Sequence, residues 1–397
     1  MIGIVILVWQ LAGSVTDIPA TPARVGQQDD ASLQQALDAP PPQSTSPEVA
    51  DPPAQNPFFE LDDLAVRPFD WRRIRIGGRA DVTFGRFENK QNVDRYDRSF
   101  LHTLSPALSA FWEFYPRYNF VIEVELDGKE GLVELDQLYI AREIPAANGA
   151  LKLGLDYIPF GIERRFYSPS TNPLVDRPSP FRRIFPGSYS DVGVFLRGGG
   201  PLGALREVQG ELAVTRGLRG PDRDDRPDNL LQASDDLQFA GRLAVKPLPS
   251  IELGVSGLLT WFERAERHNR LDLGGLDFLW QRDLFHVRAE IVAGNVEQLP
   301  ATGVDFSRHG WYVELLRRVP FHRPALHAIE AVIRYDELDA NSRERDFLDV
   351  RRVALGLNWV ILQNLRLKTE TLLSWERGDD IANDGFFLQL EYHFSSR

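Results

Sequence analysis

Residues 365–375, Leu-Arg-Leu-Lys-Thr-Glu-Thr-Leu-Leu-Ser-Trp, alternate in character. Leu365, Leu367, Thr369, Thr371, Leu373 and Trp375 are apolar or mild, and Arg366, Lys368, Glu370 and Ser374 fall between them. A period of two places neighbouring side chains on opposite faces of a strand. From Trp71 onward the chain repeats this texture in segments of about ten residues, without a sustained helical period. Such a chain must hide one face from water. It can stack two sheets, or close a cylinder whose greasy outside meets hydrocarbon and whose polar inside holds water.

The connections separate these possibilities. Strands are expected over 72–85, 103–115, 118–127, 133–142, 150–158, 190–197, 206–216, 236–246, 250–263, 270–280, 283–294, 309–318, 325–336, 350–360, 364–376 and 385–394. Tight turns such as Tyr115-Pro-Arg-Tyr118, Ile144-Pro-Ala-Ala-Asn-Gly149, Lys246-Pro-Leu-Pro-Ser250, Val319-Pro-Phe-His-Arg-Pro324 and Ile361-Leu-Gln-Asn364 alternate with longer loops. Those loops cover 86–102, 159–189, 217–235, 264–269, 295–308, 337–349 and 377–384. A soluble sandwich has no reason to gather its long connections at one end; an up-and-down barrel in an outer membrane does. The expected fold is therefore an all-β, transmembrane, up-and-down antiparallel β-barrel of about sixteen strands.

The faces agree. Tyr118, Phe120, Ile122, Val124 and Leu126 form one apolar row, and Ile251, Leu253, Val255, Leu259 and Trp261 another, with Asn119, Glu123, Glu125 and Glu252 opposite them. Aromatics near strand ends (Phe84, Tyr157, Trp261, Trp359, Trp375) suit an interfacial girdle. A mean hydropathy of −0.27 fits no helix-spanning protein. The last strand, Phe386-Phe-Leu-Gln-Leu-Glu-Tyr-His-Phe394, resembles the C-terminal assembly signal of outer-membrane proteins, with Ser-Ser-Arg397 beyond it.

The N-terminus has a different composition. Residues 1–23 hold an apolar run, Ile2 to Gly13, of signal-peptide length. Residues 24–70 are an acidic, Pro-rich stretch expected to be a periplasmic tether without a packed core, ahead of a barrel over 71–397. Residues 1–70 hold ten acids against Arg24 and Arg67, a net −8 of the chain's −12.

Five stretches in order carry a family resemblance: Gly154-Leu-Asp-Tyr-Ile-Pro-Phe-Gly-Ile-Glu163, Asp191-Val-Gly-Val-Phe-Leu-Arg197, Gly310-Trp-Tyr-Val313, Ile333-Arg-Tyr-Asp-Glu-Leu-Asp339 and Val353-Ala-Leu-Gly-Leu-Asn-Trp359. The chain resembles the phosphate-selective porin O/P family over about residues 71–394. That resemblance implies a homotrimeric porin of a Gram-negative outer membrane, bounded by lipid and lipopolysaccharide. It also implies a third outer loop folded into the pore and passage of small anions such as phosphate or polyphosphate.

An anion filter needs fixed positive charge in a narrow passage, and arginine forks suit phosphate oxygens. The third outer loop supplies Arg164, Arg165, Arg177, Arg182 and Arg183 against Glu163 and Asp176, so these are the expected constriction residues. Basic residues expected on the lumen face are Arg73, Arg75, Arg79, Lys152, Arg242, Arg366 and Lys368. The alternative is that they pair with carboxylates such as Asp81, Glu123, Glu125, Glu252, Glu290, Glu370 and Glu391. The family's anion sites use lysine clusters, and this chain has five lysines, so a non-selective general porin stands beside the anion-preferring reading. A structural or adhesive barrel is the alternative from another class.

No catalytic site is expected. The seven histidines show no metal spacing, there is no Cys, and no Gly-x-Ser-x-Gly elbow occurs. Gly198-Gly-Gly-Pro-Leu-Gly203 is expected to be a turn, not a phosphate cradle, and net acidity argues against nucleic acid. No cofactor is implied.

Overall fold

The structure is a computed structural model that describes residues 73–395, apart from 88–100, 128–131, 167–170, 185–189, 204, 219–235, 265–266, 298–304, 324–325, 344–348 and 378–383. The expected signal segment (1–23) and tether (24–70) lie outside the described residues.

Sixteen antiparallel strands close into one barrel in simple sequential order, with the last pairing the first. They are β1 (Ile74–Phe87), β2 (Leu101–Tyr115), β3 (Tyr118–Asp127), β4 (Leu132–Ile144), β5 (Gly149–Tyr157), β6 (Ser190–Leu202), β7 (Leu205–Thr215) and β8 (Gln238–Leu248). Then come β9 (Ile251–Arg264), β10 (Arg267–Arg282), β11 (Phe285–Val296), β12 (Phe306–Arg323), β13 (Leu326–Asp339), β14 (Val350–Leu362), β15 (Leu365–Glu376) and β16 (Gly385–Ser395). Closure removes the unpaired edges that an open sheet would present to lipid.

Burial follows the alternation. Along β9, Glu252, Ser256, Leu258, Thr260 and Phe262 are buried, whereas Leu253 and Val255 between them are exposed. Leu108, Ile140, Leu153, Leu212, Leu276, Ile291 and Ile333 are exposed on the same outer side of their strands. A barrel in water would not leave such a band uncovered; in a bilayer it is the lipid-facing band.

Three expected connections differ. The glycine run is strand through Leu202, leaving Gly203 at the turn with φ +56°. Small residues there let strands approach closely: a Cβ on Gly199 would crowd the Val208 carbonyl of β7. The expected turn 319–324 is likewise strand through Arg323. Pro320, which lacks an N–H, sits where the β12–β13 register shifts between Pro320 and Arg323. The expected loop 264–269 shrinks to 265–266, because Asn269 and Leu271 continue the buried row of β10. The short-and-long alternation fails at that connection, and the β3–β4 connection, 128–131, is no longer than the β4–β5 turn, 145–148.

The buried apolar residues lie inside the barrel, between wall and loop. One cluster joins Ile158, Phe160, Phe181 and Ile184 of the third outer loop to wall residues including Phe195, Leu258, Phe262, Leu273 and Val292. A second joins Leu174 to Leu316, Val332, Ala354, Leu372 and Phe387. The third outer loop is thus folded into the barrel, as the resemblance implied.

Candidate functional site

The loop leaves β5 at Tyr157 and returns at Ser190, with a 3-10 turn (Glu163–Phe166) and a short helix α1 (Ser179–Arg183) between. Its first segment turns at Gly161, whose φ of +62° suits glycine and whose N–H donates to Ser256 Oγ of β9 at 2.9 Å. A Cβ there would collide with the Glu290 carboxylate of β11. Glu163 meets the Arg288 guanidinium at 3.3 Å, and Arg288 is also held by Glu314 at 2.7 Å and lies over the Phe166 ring.

The segment 172–179 is fastened along β11 to β15. Asn172 accepts from Arg288 through Oδ1 (3.0 Å) and from Lys368 through its carbonyl (2.8 Å). Asn358 donates to the Pro173 carbonyl at 2.7 Å, and one Glu370 oxygen accepts the Val175 and Asp176 N–H groups at 2.6 and 2.8 Å. Arg352 donates to Asp176 Oδ2 (2.9 Å), to the Arg177 carbonyl (2.9 Å) and to Asp336 (3.0 Å). Arg334 donates to the Asp176 carbonyl (2.8 Å) and to Asp336 (3.1 Å), and Asp336 also accepts from the Ser179 hydroxyl. These groups are buried, so each charge needs a partner to offset its lost hydration.

Wall glycines make room for the loop. A Cβ on Gly275 of β10 would stand 3.0 Å from the Phe160 ring. On Gly310 of β12 it would stand 2.7 Å from Pro180, and on Gly356 of β14 it would stand 2.5 Å from Leu174. Three inward glycines on alternate strands therefore mark the wall against which the loop lies.

Of the expected constriction residues, Arg177 is half-buried with its guanidinium 5.1 Å from the Phe181 ring. Arg164 and Arg165 belong to the 3-10 turn, and Arg182 and Arg183 to α1; the side chains of these four lie outside the described residues. The expected lumen cations are spread around the barrel, not gathered into one site. Arg79 pairs with Glu125, and Lys152 with Asp156 at 2.5 Å. Arg242 grips Asp277 with two donors (2.6 and 2.9 Å) and Glu252 with one (2.8 Å). Lys368 lies 3.4 Å from Glu391. Arg75 stacks on Phe111 at 4.2 Å, Arg73 is exposed, and Arg366 sits opposite Glu391 in the β15–β16 register.

Asp336, Arg352, Arg334, Arg288 and Glu314 were not singled out from the sequence. The available signal was their inward position beside Gly310 and Gly356, since glycine on the wet face of a strand leaves space for something else to fill. Across the lumen from the loop-bearing wall, strands β3–β7 point Glu123, Glu125, Asp136, Glu143, Asp156 and Glu211 inward, with Lys152 and Arg197 among them. Among the described residues, no group of three or more His, Asp or Glu could hold a metal ion.

No family model matches the chain. A curated relative, an uncharacterized protein of Aquifex aeolicus (strain VF5), is 24% identical over 237 residues, 56% of this chain and 52% of its own length. The chain thus spans about half the length of the curated relative that it matches. Solved structures share the fold. The anion-selective porin from Comamonas acidovorans superposes with a TM-score of 0.55 at 10% identity, over 81% of this chain and 99% of its own. The trimer form of OmpT, an outer membrane protein of Vibrio cholerae, gives 0.54 at 9% identity, over 81% and 99%. The outer membrane channel DcaP of Acinetobacter baumannii gives 0.52 at 10% identity, over 81% and 96%. With its closed even-stranded wall and apolar outer band, the chain is an outer-membrane barrel with the porin fold.

Proposed function

We propose that this protein is a passive diffusion channel for small hydrophilic solutes, working as a homotrimer in the outer membrane of a Gram-negative bacterium. The observation that carries this reading is the clamped third loop. It is fastened to β9–β15 and lies inside the barrel against that wall, so that solutes would pass beside it. A loop held there narrows a wet path and lines it with fixed charge.

The finer proposal is an anion-preferring constriction of the phosphate type, made by Arg164, Arg165, Arg177, Arg182 and Arg183, which give the loop a net positive charge. The inner-face cations add less, because Arg79, Lys152, Arg242 and Lys368 are each neutralised by a carboxylate. A general porin with weak or cation-leaning selectivity is the second reading, favoured by the carboxylates on the facing wall. Reversal potentials in planar bilayers under a salt gradient decide between them. Replacing Arg164, Arg165, Arg182 and Arg183 with Ala is expected to shift the potential toward cations. An unchanged potential removes these arginines from the filter, and membranes that stay silent reject the channel.

A further inference from the structure

We propose that the outer surface of the barrel, between the β2–β3 and β4–β5 turns, holds the headgroup of an anionic phospholipid from the periplasm-facing leaflet. The proposal rests on the barrel's place in the membrane and not on what crosses its lumen. A hollow of about 450 Å³ opens there, lined by Arg117, Arg142, Ile144, Pro145 and Leu151. Arg142 lies on the outer face, opposite Tyr118 of β3 and Leu151 of β5 in the register, and Leu153 continues that face into the exposed band. Glu143, also at the hollow, is engaged by Asn119 at 2.9 Å on the other side of the sheet.

The position is the membrane border. Trp112, Phe114 and Tyr118 form a run of ring contacts (centroids 5.6 and 6.2 Å apart), and Tyr115 meets Tyr118 at 5.8 Å. Such aromatics settle at headgroup depth. The Arg142 guanidinium stands 5.8 Å from the Tyr118 ring. Among the described residues neither Arg117 nor Arg142 has a carboxylate partner, unlike the lumen cations.

Arg117 adds an independent sign. Pro116 fixes its own φ, and Arg117 follows it with φ +70°, a position where a tight turn favours Gly or Asn. A long cationic side chain at a strained backbone position points to a use for the guanidinium. Two unpaired guanidinium forks can share the oxygens of one phosphodiester, while its acyl chains lie on Leu151 and Leu153.

The test uses the full chain in detergent, with mass spectra recorded under non-dissociating conditions. Phosphatidylglycerol and phosphatidylcholine of identical acyl chains are offered in turn, then phosphatidylglycerol with millimolar inorganic phosphate. Retention of phosphatidylglycerol is expected to exceed that of phosphatidylcholine by about tenfold and to survive free phosphate. It is expected to fall to the phosphatidylcholine level in the Arg117→Asn/Arg142→Gln variant, whose Asn suits the turn better than Arg. Equal retention of the two lipids, an unaffected variant, displacement by phosphate, or loss of lipid on trimer formation each overturns the proposal. The resistance of both proteins to unfolding by heat in detergent shows that each barrel has formed. A well-folded barrel that is silent in bilayers removes the channel reading and leaves the lipid result to be judged alone.

Discussion

Asp336 binds the two halves of the loop anchor together. It accepts from Arg334, Arg352 and Ser179, with essentially none of its surface open to water. Breaking a buried charge cluster by removing one partner costs about 3–5 kcal/mol, because the remaining charges stay desolvated. Asp336→Asn is therefore expected to lower the thermal midpoint of the barrel in detergent and to raise the open-channel current noise as segment 172–179 loosens. A quiet channel with an unchanged midpoint would mean that the remaining bonds from Glu370, Asn358 and Lys368 hold the loop without it. Arg79, Lys152 and Arg242 were legible as inward residues from the alternation alone. Glu125 and Glu252 were legible as members of a pool of carboxylate partners, but which cation each meets was not, because Arg242 reaches Glu252 and Asp277 diagonally across strands.

At the scale of elements, the third loop lies where the strands leave space. Gly310 sits among large neighbours on β12, and a Cβ there would meet the Pro180 ring first, at 2.7 Å, and then the Glu337 carbonyl at 3.1 Å. Gly310→Ala is expected to push α1 off the wall and into the passage, lowering single-channel conductance. Gly274→Ala, on the outer side where nothing lies within 4 Å, is expected to leave it unchanged. Equal conductance in both variants would show that the loop gives way without narrowing the path. The strand boundaries at the glycine run and at Pro320 show a limit of local reading. Gly and Pro mark turns on average, yet a close partner strand or a register shift accommodates either one inside a ladder.

For the molecule as a whole, stability depends on which solvent meets which face. Leu276 is 59% exposed near the middle of β10. Placing Arg there exposes a charge to hydrocarbon and is expected to cost about 2–4 kcal/mol, read as an earlier unfolding midpoint in urea with lipid vesicles. No cost would deny that this row touches lipid. The even strand count makes the closing pair of β1 and β16 antiparallel, like every other pair in the wall.

The sequence by itself determined the number of strands, their order and the solvent of each face, because a period of two is written locally and survives without knowledge of any partner. Only the tertiary structure decided which wall carries the loop and which carboxylate meets each buried cation. Those choices join Asp176 to Arg352 and Asn172 to Lys368 across 176 and 196 positions, distances over which no local pattern specifies a partner. They are fixed by the need to pair charges where the folded loop excludes water.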